Sequence, residues 1–433
     1  MAMDGKELVE KLAKLSQVQS IKDIPQLTHA LFPGTHCPLM GAAMAVGGIK
    51  DSLIVVVGTD ECTYYTKSMT IHSEKFGGIG GRCVSVVLDD HDVTFGSAEK
   101  VQEAFKEIIE EYRPQCVFLV TTCVIEIIGD DFDAISEGLS ELYGIPVLPV
   151  HTEHFKCEDH LPGLERTITV CAEMMKSCDS DNSVNLLGQR MGDFATTELY
   201  AMLQKAGVKI GLQLPCGCSV DDIKNAAAAK VNIVVNDIAL PLAQKMQEKF
   251  GIPYVYFNKF VIPEKIYEAY KNLFGYLELE LPGELEGLYQ NAREKIEKNK
   301  GELEGITYIY GNTPYAVFEM NCFLSSLGMV PQVIQTNRYT EADEPYAKEI
   351  LQYTDPYVCK AANIAPLQYV YDVLSPYLYL GHEFGNRLRQ KGIAIVHSDR
   401  ASGMLGFEVT GYLLQQLVKS VREAKEYRKE LGL

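Results

Sequence analysis

Three cysteines have the residue type and the surroundings to do metal chemistry. They are Cys37 in "FPGTHCPLMGA", Cys62 in "VVVGTDECTYYTK" and Cys123 in "TTCVIEIIGDDF". Cys62 and Cys123 each stand just past an apolar run that reads as a buried strand. Cys37 stands in a Pro/Gly-rich loop before a small-residue helix. The spacing is Cys37-x24-Cys62-x60-Cys123. Three thiolates on three loops suit a soft metal or an iron–sulfur cluster. Gly, Thr and Ser residues beside each one supply N–H groups that can bond cluster sulfides. Free cysteine is also among the most buried residue types, and none of the three belongs to a C-x-x-C pair. Spacing alone leaves both readings open.

A second group is less specific. "LQLPCGCSVDD" places Cys216 and Cys218 after a strand and before a helix, where thiolate is favoured. The pair suits metal or redox chemistry in a cleft; it equally suits two small residues in a tight turn. Cys157 in "HTEHFKCEDH" follows a fourth strand and is a candidate cluster contact, with His151 and His154 as candidate donors around it. His36, beside Cys37, reads as a local packing residue. Cys83, Cys116, Cys171, Cys178, Cys322 and Cys359 read as core or surface. No G-x-x-x-x-G-K-[ST] occurs, and "FGGIGGRC" lacks its Lys-Ser/Thr end, so the chain has no P-loop for ATP.

The elements that must carry these residues follow a β-α-β rhythm. "SLIVVVG" (52–58), "CVSVVL" (83–88), "QCVFLVTT" (115–122) and "IPVLPV" (145–150) read as buried strands, and "SAEKVQEAFKEIIEEYRP" as a helix with Val101, Phe105, Ile108 and Ile109 on one face. The rhythm restarts at "NSVNLLG" and again at "GITYIYG". The fold class is α/β, with three parallel-sheet units. Residues 1–182 form an N-terminal helix and the first unit, 183–300 the second, and 301–433 the third with C-terminal helices. Ligands of such sheets sit at the strands' carboxyl ends, which is where Cys62 and Cys123 fall. A net charge of −18 argues against nucleic-acid or anionic-membrane partners. No apolar run reaches the roughly 18 residues of a membrane span. "MAMDGKELVEKLAKL" reads as an amphipathic helix rather than a signal peptide, so a cytoplasmic protein is expected, its 12 cysteines free or metal-bound.

"CPLMGAAMAVGGIKDSLIVVVGTDECTYY", "RCVSVVLDDHDVTFGS", "TTCVIEIIGDDFDAI" and "HTEHF" resemble the nitrogenase component 1 superfamily, whose members include nitrogenase α- and β-type subunits, cofactor-assembly scaffolds and other nitrogenase-like reductases. The first unit is nearest to a β-type chain, and the likeness runs along essentially the whole sequence. The resemblance implies that Cys37, Cys62 and Cys123 ligate one half of a cluster, of 4Fe–4S or 8Fe–7S type, shared with a second chain. It implies a homodimer, or a heterodimer or heterotetramer with a related chain, and a separate ATP-dependent iron protein as electron donor. It implies a fold of three Rossmann-like parallel-sheet units around a central cleft, with room in that cleft for a second metallocluster. His397 in "GIAIVHSDR" matches the family's cofactor-binding histidine, and His382 lies in "LGHEFG" where the α-type chain has a basic residue. Asn236 stands where the α-type chain has its cofactor cysteine, and Thr70 breaks the α-type "Cys-x7-Arg" pattern. These departures point away from a standard dinitrogen-reducing α subunit. The main expectation is the catalytic component of a two-component reductase, with His397 and His382 as catalytic residues. The alternatives are a scaffold for metallocluster assembly and an electron-relay partner.

Overall fold

The computed structural model describes residues 4–27, 36–71, 81–157, 159–190, 192–311, 313, 316–361 and 364–433. The loop at 33–35, the glycine-rich 76–80 and the side chain of Thr70 lie outside the described residues. The fold is α/β, built on three parallel sheets.

The first sheet runs Cys83–Val87, Ser52–Gly58, Cys116–Val120, Val147–Val150 from edge to edge, all parallel. Helices cover both faces, so the strands Ser52–Gly58 and Cys116–Val120 are buried throughout and read as unbroken Val, Ile and Leu rather than as alternation. Their order is second, first, third, fourth in the chain. Right-handed crossovers then send the helices Asp60–Ile71 and Cys123–Ile128 to opposite faces, leaving a crevice between the two central strands. The second sheet repeats this plan: Tyr254–Tyr256, Val231–Val234, Val184–Gln189, Ile210–Pro215. Its crevice opens after Val184–Gln189 and Val231–Val234, at Arg190 and Asn236.

The third sheet has five parallel strands in the order Tyr357–Cys359, Val330–Gln335, Thr307–Tyr310, Leu378–Leu380, Ala394–Val396. Its crevice lies after Thr307–Tyr310 and Leu378–Leu380, beside His382. A sixth strand comes from the N-terminus: Ala13–Lys14 pairs antiparallel with Tyr357–Cys359. The N-terminal helix is only Gly5–Glu10, and Leu8, Leu12 and Leu27 pack with Ile309, Leu367 and Val370. Residues 4–27 therefore sit on the third unit, not on the first, with which the sequence pattern grouped them. A pattern of apolar spacing reports which residues are buried, not against which sheet.

Backbone contacts join the units. Ile49–Lys50 pairs parallel with Cys218–Ser219, and Gly217 donates its N–H to the Gly48 carbonyl at 3.1 Å. Helices Pro38–Gly47 and Leu161–Val170 cross at their glycines: a Cβ on Gly41 would meet the His160 carbonyl oxygen at 1.9 Å, and one on Gly163 the Pro38 oxygen at 1.8 Å. Between the second and third units, Lys259 Nζ donates to the Ser402 carbonyl and to Gln189 Oε1 at 3.4 Å. Glu198 Oε1 accepts from Tyr270 OH and the Phe407 N–H, each at 3.0 Å. Among the described residues no helix is long and apolar enough to cross a membrane.

Two outcomes follow from these joints. Gly163→Ala drives a methyl into backbone and is expected to lower stability by about 1–3 kcal/mol in urea unfolding. An unchanged midpoint would show that the helices separate freely. Burial, with Arg190 nearby, pushes the Lys259 ammonium down to about 7. Between that value and the ordinary lysine range the unfolded chain binds more protons, so this group's contribution makes stability rise with pH across the window. Wild type minus Lys259→Met should therefore show the unfolding constant falling by up to about tenfold per pH unit from pH 7.5 to 9. A flat difference would place the amine in water.

Candidate metal centre and the three-unit junction

Cys37 is the N-cap of helix Pro38–Gly47, Cys62 lies in the first turn of Asp60–Ile71, and Cys123 opens Cys123–Ile128. All three are half-buried and none is in a disulfide. Burial raises the Cys37 pKa. The N–H groups of Met40 and Leu39 oppose that rise, and the Cys62 and Cys123 sulfurs, close enough for their charges to be felt, add to it. Such mutual repulsion among thiolates is relieved by a shared cation.

Each sulfur has its own donors. Thr59 Oγ1 donates to Cys62 Sγ at 3.6 Å, and the His154 N–H donates to Cys123 Sγ at 3.4 Å. These donors, at the amino ends of helices, fit thiolate ligands of an iron–sulfur cluster. Gly58 permits the approach. Its φ is +155°, and a Cβ there would lie 1.9 Å from Thr122 Oγ1, the residue before Cys123. The Cys123 helix is then braced by Glu126, which bonds Thr121 Oγ1 and His151 Nδ1, the latter at 2.8 Å. So His151 steadies the helix, while His154 serves through its backbone. Arg166 holds the same loop, donating to the His151 carbonyl and to Glu153 Oε2, each at 2.7 Å. Cys157 follows in this loop, half-buried. Asp131 caps Phe132–Tyr143 through Ala134 N–H, and Asp130 accepts from Ser97 N–H and Oγ, so the acidic pair is structural. Around the three cysteines the surface is apolar: Tyr64 is 72% exposed, Ile127 74%, with Tyr65 and Phe155 also exposed.

The Cys216–Cys218 pair does not face one cleft together. Cys218 is 1% exposed, set in the core by its ladder to Ile49, and burial pushes its pKa up to about 12. Cys216 remains half-buried at the junction, its Sγ donating to the Arg190 carbonyl at 3.3 Å. Residues of all three units meet here. Arg190 lies within the charge field of Asp237, Asp159 and Cys216; Asp237 pairs with Arg338 at 3.0 Å across to the third unit. His160 is held down to about 4 by burial, then by Arg190 and His36. Sequence reasoning missed Arg190 and Lys259. Their signal was position, one residue past one second-unit strand and three past another. Asn236 caps the turn Asp237–Ala239, accepting from Ile238 N–H at 3.2 Å, so its amide oxygen is committed to the backbone. His397 follows strand Ala394–Val396 and is exposed; His382 is exposed too, its Nε2 3.2 Å from Asp399 Oδ1.

Comparison with known proteins agrees with this layout. A family model described as nitrogenase component 1 type oxidoreductase matches residues 37–422. The nitrogenase iron-molybdenum cofactor biosynthesis protein NifE of Clostridium pasteurianum is 31% identical over 51% of this chain and 49% of its own length. The NifE of Rippkaea orientalis is 25% identical over 73% and 69%. The nitrogenase molybdenum-iron protein alpha chain of Methanosarcina barkeri is 24% identical over 72% and 62%. The alignments thus span from about half to about two thirds of these relatives' lengths. Among solved structures, nitrogenase Cp1 at pH 6.5 superposes with a TM-score of 0.79 at 15% identity, over 93% of this chain and 95% of that one, a likeness of fold. With three helix-terminal cysteines on a three-sheet frame and a family match over most of its length, the chain belongs to the nitrogenase component 1 type oxidoreductases.

Proposed function

We propose that the chain is the cluster-bearing subunit of a nitrogenase-like complex, acting as a scaffold on which a metallocluster is held and passed on. Cys37, Cys62 and Cys123 hold half of an iron–sulfur cluster, completed by a related chain or a second copy seated on the apolar rim of Tyr64, Tyr65, Ile127 and Phe155. A separate ATP-dependent iron protein delivers the electrons. When bound, the cluster supplies one-electron transfer at low potential. The protein's own part is to present three sulfurs and to set their basicity through the Thr59 hydroxyl and the His154 amide.

The observation that carries the scaffold role is Asn236. The family's cofactor cysteine is replaced by a residue whose amide oxygen is already used as a cap. A group at the junction then has fewer fixed bonds to the protein, which suits a cluster that has to leave. The names of the NifE relatives point the same way. A reductase with its own substrate is the second reading. It is favoured by Cys216 at the junction, and by His397 and His382 at the ends of third-unit strands.

Each of Cys37→Ala, Cys62→Ala and Cys123→Ala is expected to lower iron per chain after anaerobic isolation by half or more. Unchanged iron in all three would sink the assignment. Sedimentation should show the iron-loaded protein as a dimer or larger; a loaded monomer would refute the shared cluster. With reduced iron protein and MgATP, a scaffold takes up electrons only to the stoichiometry of its clusters. Sustained electron consumption would instead establish the reductase.

A further inference from the structure

Lys259 stands three residues past strand Tyr254–Tyr256 and is 8% exposed. A lysine so far from water is ordinarily matched by a carboxylate. Among the described residues no carboxylate pairs with this one. Its Nζ donates to two neutral oxygens, the Ser402 carbonyl of the third unit and Gln189 Oε1 at 3.4 Å, and both partners are buried. The charged group felt at the amine is a second cation, Arg190. Burial first, and then that neighbour, hold the Lys259 amine down to about 7, so at about pH 8 most of it is uncharged. An uncharged amine that gives two hydrogens to carbonyls keeps its nitrogen lone pair, and that lone pair is a nucleophile. A clamp between the units needs only the two N–H donors, which a side-chain amide supplies without burying a charge.

We propose that Lys259 is a carbon dioxide site: its amine adds to the gas, and the resulting carbamate is stabilised by the Arg190 guanidinium. The Nζ lone pair forms the new N–C bond. One C=O π pair moves onto oxygen, and the nitrogen gives up one proton to solvent, so no oxidant or reductant takes part. The N–H that remains still has the Ser402 carbonyl as acceptor. The side chain changes from a neutral amine to an anion beside a cation. The neighbour that disfavours the ammonium thus favours the product, which singles out Lys259 from the surface lysines. A small uncharged gas also enters an interior that excludes ions. No cluster and no second chain take part, so the carbamate is independent of the scaffold reading.

The test traps the carbamate in the full chain, isolated anaerobically. The protein is held with isotopically labelled bicarbonate, the source of dissolved carbon dioxide, and then treated with triethyloxonium ion, which converts a carbamate into a stable ethyl ester. Peptide mass spectrometry reads labelled ethoxycarbonyl on Lys259 against exposed Lys419. At about pH 8 a lysine titrating near 7 holds roughly a hundredfold more free amine than one in the ordinary range, so label on Lys259 is expected to exceed that on Lys419 by at least about tenfold. Arg190→Gln is expected to cut the Lys259 label by at least about threefold, whereas Arg190→Lys keeps the charge and most of the label. Label on Lys259 no higher than on Lys419 overturns the site, and equal label in wild type and Arg190→Gln overturns the pairing with Arg190. A second measurement needs no trapping. The urea-unfolding midpoint of wild type should rise with bicarbonate over chloride of matched ionic strength, and that of Lys259→Met should not. An equal rise in both proteins, or none in wild type, also overturns the proposal.

Discussion

A parallel sheet whose first strand lies inside it must send its helices to both faces, and the gap this leaves at the strand ends cannot be closed by the sheet itself. All three units of this chain obey that constraint. The first gap receives Cys62 and Cys123, the second Arg190 and Asn236, the third His382. Cys37 joins the first gap from outside the sheet, on a helix that can reach it because Gly41 and Gly163 let two helices touch backbone to backbone. Reactive groups thus gather where the fold has no packing solution of its own, and the apolar strands behind them hold those positions.

Buried strands were legible because helices on both faces demand unbroken Val, Ile and Leu, as in Ser52–Gly58 and Cys116–Val120. Short strands were not. Tyr357–Cys359 spans three residues, too few for a period to register, and Ala13–Lys14 takes its partner from more than 340 residues away. The three metal-binding candidates stood out by residue type and address. The Cys216–Cys218 pair stood out equally, yet the backbone ladder from Ile49 to Cys218 draws one member into the core. Such a ladder depends on inter-unit docking, which no local pattern encodes. Arg190 and Lys259 escaped notice because a lone cation after a strand looks like any loop residue until its burial is known.

The histidines carry a related lesson. His151 and His154 sit two and five residues past Pro149 in a loop that touches Cys123, but one works through its ring on Glu126 and the other through its amide. Ring chemistry and backbone chemistry cannot be told apart in a sequence. Asp130 and Asp131 divide in the same way, one bracing the helix Ala98–Tyr112 and the other capping its own helix.

The pairing of Ala13–Lys14 with Tyr357–Cys359 has a consequence for the order of biosynthesis. On the ribosome the first two units emerge complete and can fold as units, because every strand of their sheets is drawn from contiguous chain. The leading segment cannot. Its leucines, Leu8, Leu12 and Leu27, must wait through more than 300 residues of translation before the sheet that shelters them exists. Among the described residues no strand pairing has a greater sequence separation, so this one closes at the largest loop entropy. Until then those leucines travel with the nascent chain outside any core.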